Sequence, residues 1–309
     1  MRIAVLGAGA VGGFYGARLA RAGHDVTFIA RGANLEAIKA RGIQVTSPLG
    51  DISVAAGAES DPTLVGPVDL VVVAVKTYSN RDALPLITPL VGPATVVLTL
   101  QNGVDSADQL AALVGQEPVL AGPTYIAATL VQPGVIEHVG KVRRILFGEA
   151  FGNRVVTPRV ERICQALADA DIQAEAAADS RVPLWEKFIF LAPIAALTAM
   201  ARLPVGLGWA HAEFRDTYDR AAAEIEAIAH HEGIAVATDV REQKRHYLDK
   251  SPPAMRTSMM VDITSGRPLE LEALVGTVVR RGLSAGIPTP VMAAFYGVLK
   301  PFEHGAPAA

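Results

Sequence analysis

Residues 2–30, RIAVLGAGAVGGFYGARLARAGHDVTFIA, decide the fold. The run 2–6 (RIAVL) is apolar and β-branched and reads as a buried strand. GAGAVGG follows, then a helical pattern over 14–22 ended by Gly23, then a second strand over 24–30. Together they make a βαβ unit. At the passage from strand to helix, Gly7, Gly9 and Gly12 form G-x-G-x-x-G. In such a motif the first glycine permits the tight turn. The second lets a pyrophosphate approach the backbone, and the third allows close helix–strand packing. The helix N-terminus then faces the phosphates. Elsewhere in a chain this spacing is an ordinary glycine-rich turn, but between a strand and a helix it predicts dinucleotide binding. Gly7, Ala8, Gly9, Ala10, Val11 and Gly12 are the expected cradle.

Outward from this unit, 69–75 (DLVVVAV) and 95–100 (TVVLTL) are two more apolar runs. Continuous apolar strands fit a parallel sheet covered on both faces. From 119 to 148 alternating segments are broken by Gln132-Pro133-Gly134 and Gly140, which suggests antiparallel strands finishing the sheet. Residues 158–170 read as a helix and 172–175 as a last strand. From about 180 the pattern is helical, interrupted at Pro252-Pro253, with a tail over 305–309 expected to be disordered. The expected architecture is α/β: an N-terminal Rossmann-type doubly wound sheet over 1–178, followed by an all-helical C-terminal domain over 179–309.

Composition narrows the functional classes. Half of the 309 residues are hydrophobic and 19% are charged, which is globular rather than disordered. Lys plus Arg (28) nearly balances Asp plus Glu (31), so neither a nucleic-acid nor a membrane-surface partner is expected. The single Cys164 excludes an internal disulfide and a Cys-built zinc site, and it reads as a small core residue of a helix. The seven histidines lack ligand spacing, and the adjacent His230 and His231 point to different helix faces. No metal is expected. Residues 1–9 carry no signal-peptide cleavage pattern. The apolar stretch 188–201 is shorter than the ~20 residues of a membrane span. These features point to a cytoplasmic protein.

The end of the second strand selects the cofactor. NAD-specific domains carry an acidic residue there, whereas this chain has Ala30-Arg31-Gly32. A guanidinium suits a 2′-phosphate, which favours NADPH, and the alternative is a solvated strand-end arginine. The next two apolar runs end in Lys76 and in Gln101-Asn102-Gly103. Ligands of open α/β sheets lie outside the strands' carboxyl ends, so Lys76 and Asn102 are candidate cofactor or substrate contacts. A surface lysine and a turn asparagine remain the alternatives. In the helical half, Lys187 is the only cation between Arg181 and Arg202, in an apolar run. It is either snorkelling or held with a lowered pKa. Ser258 could cap or back-bond a helix, and Glu270, just after Pro268, could be a first-turn acid.

Taken together, the chain resembles the ketopantoate reductase (2-dehydropantoate 2-reductase) family over nearly its whole length. The resemblance rests on GAGAVGGFYGARLARAGHDVTFIARG (7–32), VKTY (75–78), LQNGV (100–104), WEKF (185–188) and SMMVDITSGRPLELEALVG (258–276). It implies NADPH-dependent reduction of a 2-keto acid to a 2-hydroxy acid. Lys187 is then the proton donor to the carbonyl oxygen. Glu270 is an acid near the nicotinamide and the lysine, and Asn102 lies near nicotinamide and substrate. Lys76 and the backbone of Ala128 are cofactor contacts, and Ser258 is a substrate-carboxylate contact. The small keto acid is the expected partner, and the oligomeric state is left open, with a homodimer among the options. One departure stands out. Where the family carries asparagines four and eight residues after the lysine, this chain has Leu191 and Ala195. They share a helix face with Lys187, so a paralogue with a shifted, more apolar substrate is expected. A reading from another class is a non-catalytic NADPH-binding sensor. Lys187, Ser258 and Glu270 argue against it, because a sensor needs no proton donor.

Overall fold

In the computed structural model, which describes residues 1–307, the chain divides into two compact units. The first comprises residues 1–101 and 106–181. Among the described residues its strands are β1 (Arg2–Leu6), β2 (Asp25–Ile29), β3 (Ile43–Thr46), β4 (Ile52–Val54), β5 (Gly57–Glu59), β6 (Leu70–Val73), β7 (Val96–Thr99), β8 (Val119–Ala121), β9 (Thr124–Gln132), β10 (Val135–Glu149) and β11 (Gln173–Ala176). Its α-helices are α1 (Ala10–Arg21), α2 (Gly32–Arg41), α3 (Asn80–Ala83), α4 (Ser106–Val114) and α5 (Pro158–Asp169).

Six strands pair in parallel in the order β8-β7-β6-β1-β2-β5. Numbered along the chain, this is the 6-5-4-1-2-3 order of a dinucleotide-binding sheet, and its switch point lies between β1 and β6. The strands are apolar throughout because both faces are covered. Ile3, Val5, Leu70, Val72, Val96 and Leu98 enter one core, while Ala4, Leu6, Val71, Val73 and Val97 enter the other. The alternation is the period of two of a pleated strand. β10 continues the sheet antiparallel to β8, with β9 folded back on it around Gly134. Gly140 does not end a strand as expected. It sits in a register shift between His138 and Arg143, so β10 runs as one bulged strand through 135–149. The β3–β4 hairpin and β5 lie in a stretch the sequence reading left unassigned. Each is only three or four residues long, too short to show a period.

The second unit comprises 102–105 and the residues from Val182 onward. It contains α6 (Arg181–Ala201) apart from its first residue, α7 (Val205–Trp209), α8 (Ala212–His231), α9 (Val240–Asp249), α10 (Ser258–Thr264), a π-helical turn (Glu272–Gly276), α11 (Thr277–Ala285) and α12 (Pro290–Leu299). α6 is long and apolar enough to cross a membrane by length and composition, which the shorter stretch 188–201 was not. Most of its apolar surface is buried instead: Trp185, Phe188, Ile189, Ala192 and Ile194–Ala196 all enter this unit's core. α6 is therefore the central helix of that core. The expected disorder of the tail is corrected for its first residues. Gly305 is buried, and the Ala306 N–H donates to the Gly266 carbonyl at 3.2 Å. Of that tail, 308 and 309 lie outside the described residues.

Candidate active site

The glycine-rich turn follows β1 at the sheet's switch point. Gly7 adopts φ +101°, and a Cβ there would stand 2.8 Å from the Val75 nitrogen. Only glycine both reaches that backbone region and lets the two strand ends meet. α1 begins at Ala10, four residues earlier than the helical pattern suggested, with Gly9 as N-cap and no side-chain cap bond. A Cβ on Gly12 would lie 2.1 Å from the Gly7 carbonyl oxygen, so the helix packs directly on the turn. A Cβ on Gly9, by contrast, would meet nothing within 4 Å. The turn thus leaves open room over its second glycine, beside helix N–H groups, which fits a pyrophosphate.

Around this cradle, Arg31 is the exposed N-cap of α2, directly after β2. Lys76 follows β6 and caps the short 3-10 turn Thr77–Ser79. Ala128 is half-buried on β9, opposite His138. Two residues the sequence reading missed hold these parts in place. The Asn34 amide donates to the Ala8 carbonyl at 2.7 Å and accepts from the Gly134 N–H at 2.7 Å. It therefore ties the turn to the β9–β10 hairpin. Gln101 is buried and donates from Nε2 to the Val75 carbonyl (2.8 Å) and to Asn80 Oδ1 (2.6 Å). It fixes the end of β6 relative to β7. Asn34 carries a weak sequence signal, an asparagine in the first turn of a helix, but both its partners are distant in sequence.

The second unit brings together Lys187, Asn102 and Glu270. Lys187, half-buried near the start of α6, donates from Nζ to Asn102 Oδ1 at 3.0 Å. Asn102 Nδ2 in turn donates to Glu270 Oε2 at 3.5 Å. The two neighbours fix the amide's orientation, since a flip would set its NH₂ against an ammonium and its oxygen against a carboxylate. Burial lowers the Lys187 pKa from 10.5 to about 8, against the opposing pull of the Glu270 charge. Glu270 is not a solvated first-turn acid: its side chain is buried, and its carbonyl accepts from the Leu274 N–H at 3.1 Å. Such an array can deliver a proton at neutral pH and take one back under mildly alkaline conditions.

Ser258 is exposed at the first position of α10. The cap that the sequence offered to Ser258 belongs to Thr257, whose hydroxyl accepts from the Met260 N–H. Thr257 also bonds Thr198 of α6 at 2.8 Å. Leu191 packs partly buried against the helical core, and Ala195 is fully buried within it. Neither position carries a polar side chain on the lysine's helix.

Two family models match the chain. Residues 3–151 match ketopantoate reductase PanE/ApbA, and residues 179–303 match ketopantoate reductase PanE/ApbA C terminal. A 2-dehydropantoate 2-reductase of Mesorhizobium japonicum is 31% identical, covering 97% of both chains. The crystal structure of 2-dehydropantoate 2-reductase from Geobacter metallireducens superposes with a TM-score of 0.90 at 33% identity. It covers 97% of this chain and 99% of that one. A D-mandelate dehydrogenase solved with NADH and anilino(oxo)acetate also gives a TM-score of 0.90, over 98% of both chains. At 20% identity that likeness speaks for the fold alone.

Proposed function

The chain belongs to the ketopantoate reductase family, and from that premise we propose that it reduces a small 2-keto acid to the 2-hydroxy acid with NADPH as the preferred cofactor. The family is one of NAD(P)-dependent oxidoreductases acting on a keto acid. The observation that carries the reading is the Lys187–Asn102–Glu270 array. A bound nicotinamide would supply the hydride to the keto carbon. Negative charge then develops on the keto oxygen, and the Lys187 ammonium stabilises it and donates the proton. Asn102 aims the ammonium, and the Glu270 carboxylate favours its charged form. In this reading Gly7, Ala8, Gly9, Ala10, Val11 and Gly12 hold the pyrophosphate. Lys76 and the Ala128 backbone contact the cofactor, Asn102 and Glu270 lie beside both ligands, and Ser258 takes the substrate carboxylate.

Preference for NADPH rests on Arg31 at the end of β2. The first turn of α2 contains no acidic residue, and a guanidinium there suits a 2′-phosphate. Leu191 and Ala195, on the lysine's own helix face, carry no donor or acceptor, and leaving a buried hydroxyl unpaired costs ~1–3 kcal/mol. The reading therefore includes a substrate less polar at its 4-position than ketopantoate. The test is NADPH and NADH oxidation with ketopantoate, its analogue lacking the 4-hydroxyl and a series of aliphatic 2-keto acids. Turnover with NADPH, at least as fast for the deoxy analogue as for ketopantoate, is expected. A strong preference for ketopantoate would overturn the shifted specificity, and no turnover with any keto acid would overturn the activity.

A further inference from the structure

We propose that Arg281 is a positioning residue for the reaction: through Asp105 it holds the segment that presents Asn102 to Lys187. The inference rests on the catalytic reading given above. Asn102 does not stand on a helix or strand. It opens a four-residue excursion, Asn102-Gly103-Val104-Asp105, that belongs to the helical unit although the residues on both sides belong to the other. Something must hold so short a loop within tenths of an ångström if its amide is to aim an ammonium.

Three contacts do so. Gly103 has φ +94°, and a Cβ there would stand 2.8 Å from the Ala273 carbonyl oxygen, so the loop lies flat on the π-helical turn. Val104 is buried in the helical core. Asp105 accepts from Arg281 twice, from Nη2 at 2.6 Å and from Nε at 3.1 Å. The first two contacts fix the loop's depth. The guanidinium adds direction, because its planar fork grips one carboxylate oxygen from two nitrogens.

Arg281 is itself fixed from its other sides. Its Nη1 donates to Glu232 Oε1 at 2.5 Å, and its Nε also reaches Thr277 Oγ1 at 3.3 Å. Its guanidinium carbon lies 5.7 Å from the centre of the Trp185 ring, two residues before Lys187 on α6. Arg281 and Asp105 side chains are each only 25% exposed, so solvent screens the pair little. One guanidinium thus touches the two chain segments that carry the reacting pair: the loop through Asp105, and the start of α6 through Trp185.

The experiment compares Asp105→Asn, Arg281→Lys, their double variant and Lys187→Ala with the wild type. The readouts are kcat, KM, NADPH binding by fluorescence and thermal midpoint. Asp105→Asn keeps the shape of the loop residue and removes the charge. Each single variant is expected to lower kcat by roughly ten- to a hundredfold, the scale of a small misplacement of a reacting group. NADPH affinity should stay within about twofold, since neither residue belongs to the glycine cradle. Because the pair acts as one unit, the double variant should be no slower than the slower single one. A wild-type kcat in Asp105→Asn, with Lys187→Ala inactive, overturns the positioning role and leaves the catalytic reading intact. An active Lys187→Ala overturns the catalytic reading itself. Should Arg281→Lys not fold, Asp105→Asn alone decides: a kcat loss without a matching change in thermal midpoint supports the proposal, and a loss that only follows unfolding refutes it.

Discussion

At the scale of single residues, the lysine on α6 carries the sharpest consequences. With its pKa lowered to about 8, its ammonium, the proton donor of the proposed reaction, is lost as pH rises through that value. For keto-acid reduction, kcat/KM should be flat below about pH 8 and fall about tenfold per pH unit above it. Oxidation of the hydroxy acid needs the neutral amine, so it should rise through the same value. A pH–rate series in both directions checks this, and parallel profiles would refute it. Lys187→Ala should lower kcat by at least ~10²-fold while NADPH binding survives. The same burial has a cost in stability. The charged form is disfavoured on folding, so the penalty is fully present below about pH 8 and vanishes as pH rises towards the ordinary 10.5. Lys187→Met should therefore raise stability at neutral pH, by up to about 3 kcal/mol, as measured by denaturant unfolding. From the sequence, Lys187 could equally have been a snorkelling lysine. What decides is its acceptor, Asn102, which lies 85 residues away along the chain. Arg31, the proposed contact to the 2′-phosphate, is simpler, because its position depends only on the strand before it. Arg31→Ala should weaken NADPH roughly 10- to 150-fold, the loss of a charge-assisted pair of about 1.5–3 kcal/mol, and barely affect NADH. Titration with both cofactors checks this.

At the scale of elements, the turn between β1 and α1 separates two kinds of glycine. An alanine at position 12 would press its methyl against the Gly7 carbonyl at 2.1 Å, so helix or strand must move. Gly12→Ala should cost about 1–3 kcal/mol of stability, the usual range for overpacking. An alanine at position 9 meets only open space, so Gly9→Ala should keep the wild-type thermal midpoint and lose cofactor affinity. Equal thermal midpoints for the two variants would refute the distinction. These elements were legible because strand, turn and helix follow each other without interruption, and each has a period long enough to count. α5 was legible by the same helical period, and the four-residue strands β6 and β7 by their unbroken apolar runs over 69–75 and 95–100. β3, β4 and β5 were not legible, since three or four residues carry no period and their pairing partners are remote: β3 lies in parallel beside residues 135–137 of β10. α6 shows a different limit. Its apolar character was plain, but only its burial distinguishes a core helix from one that could cross a membrane.

At the scale of the whole molecule, acid sensitivity falls on both units: in the helical one burial acts to raise the Glu272 pKa, but bonds from Lys300, Tyr296 and Arg280 bring it down to about 2, and the sheet-bearing one holds Asp171 and Glu149. Asp171 gains a higher pKa from burial, but hydrogen bonds from Arg143 and Arg18 outweigh this and hold it below the usual range. Burial likewise acts to raise Glu149, and its bonds from Arg159 and Thr157 bring it down. Carboxylates with depressed pKa values stabilise the fold above their ordinary range, and that contribution is lost as pH falls through the folded values. The thermal midpoint should thus drop steeply below about pH 4. Asp171→Asn should reduce that slope and cost roughly 1–3 kcal/mol near neutrality, because Arg18 is fully buried and Asp171 is its charge partner. Sequence reading anticipated a sheet domain and a helical domain in succession, but not that the helical unit includes Asn102–Asp105. The contacts that go with that inclusion are Gly103 on Ala273, Val104 in the helical core and Arg281 on Asp105, the last a pairing across 176 positions that no local pattern announces. The feature bears on how such proteins can exchange parts. A recombination with one crossover near position 181 would import a foreign helical half together with its arginine, while Asn102 and Asp105 stayed behind with the native sheet. The inheritable module is therefore discontinuous: two stretches of gene must travel together, so functional hybrids within the family are expected to need a second, much shorter graft.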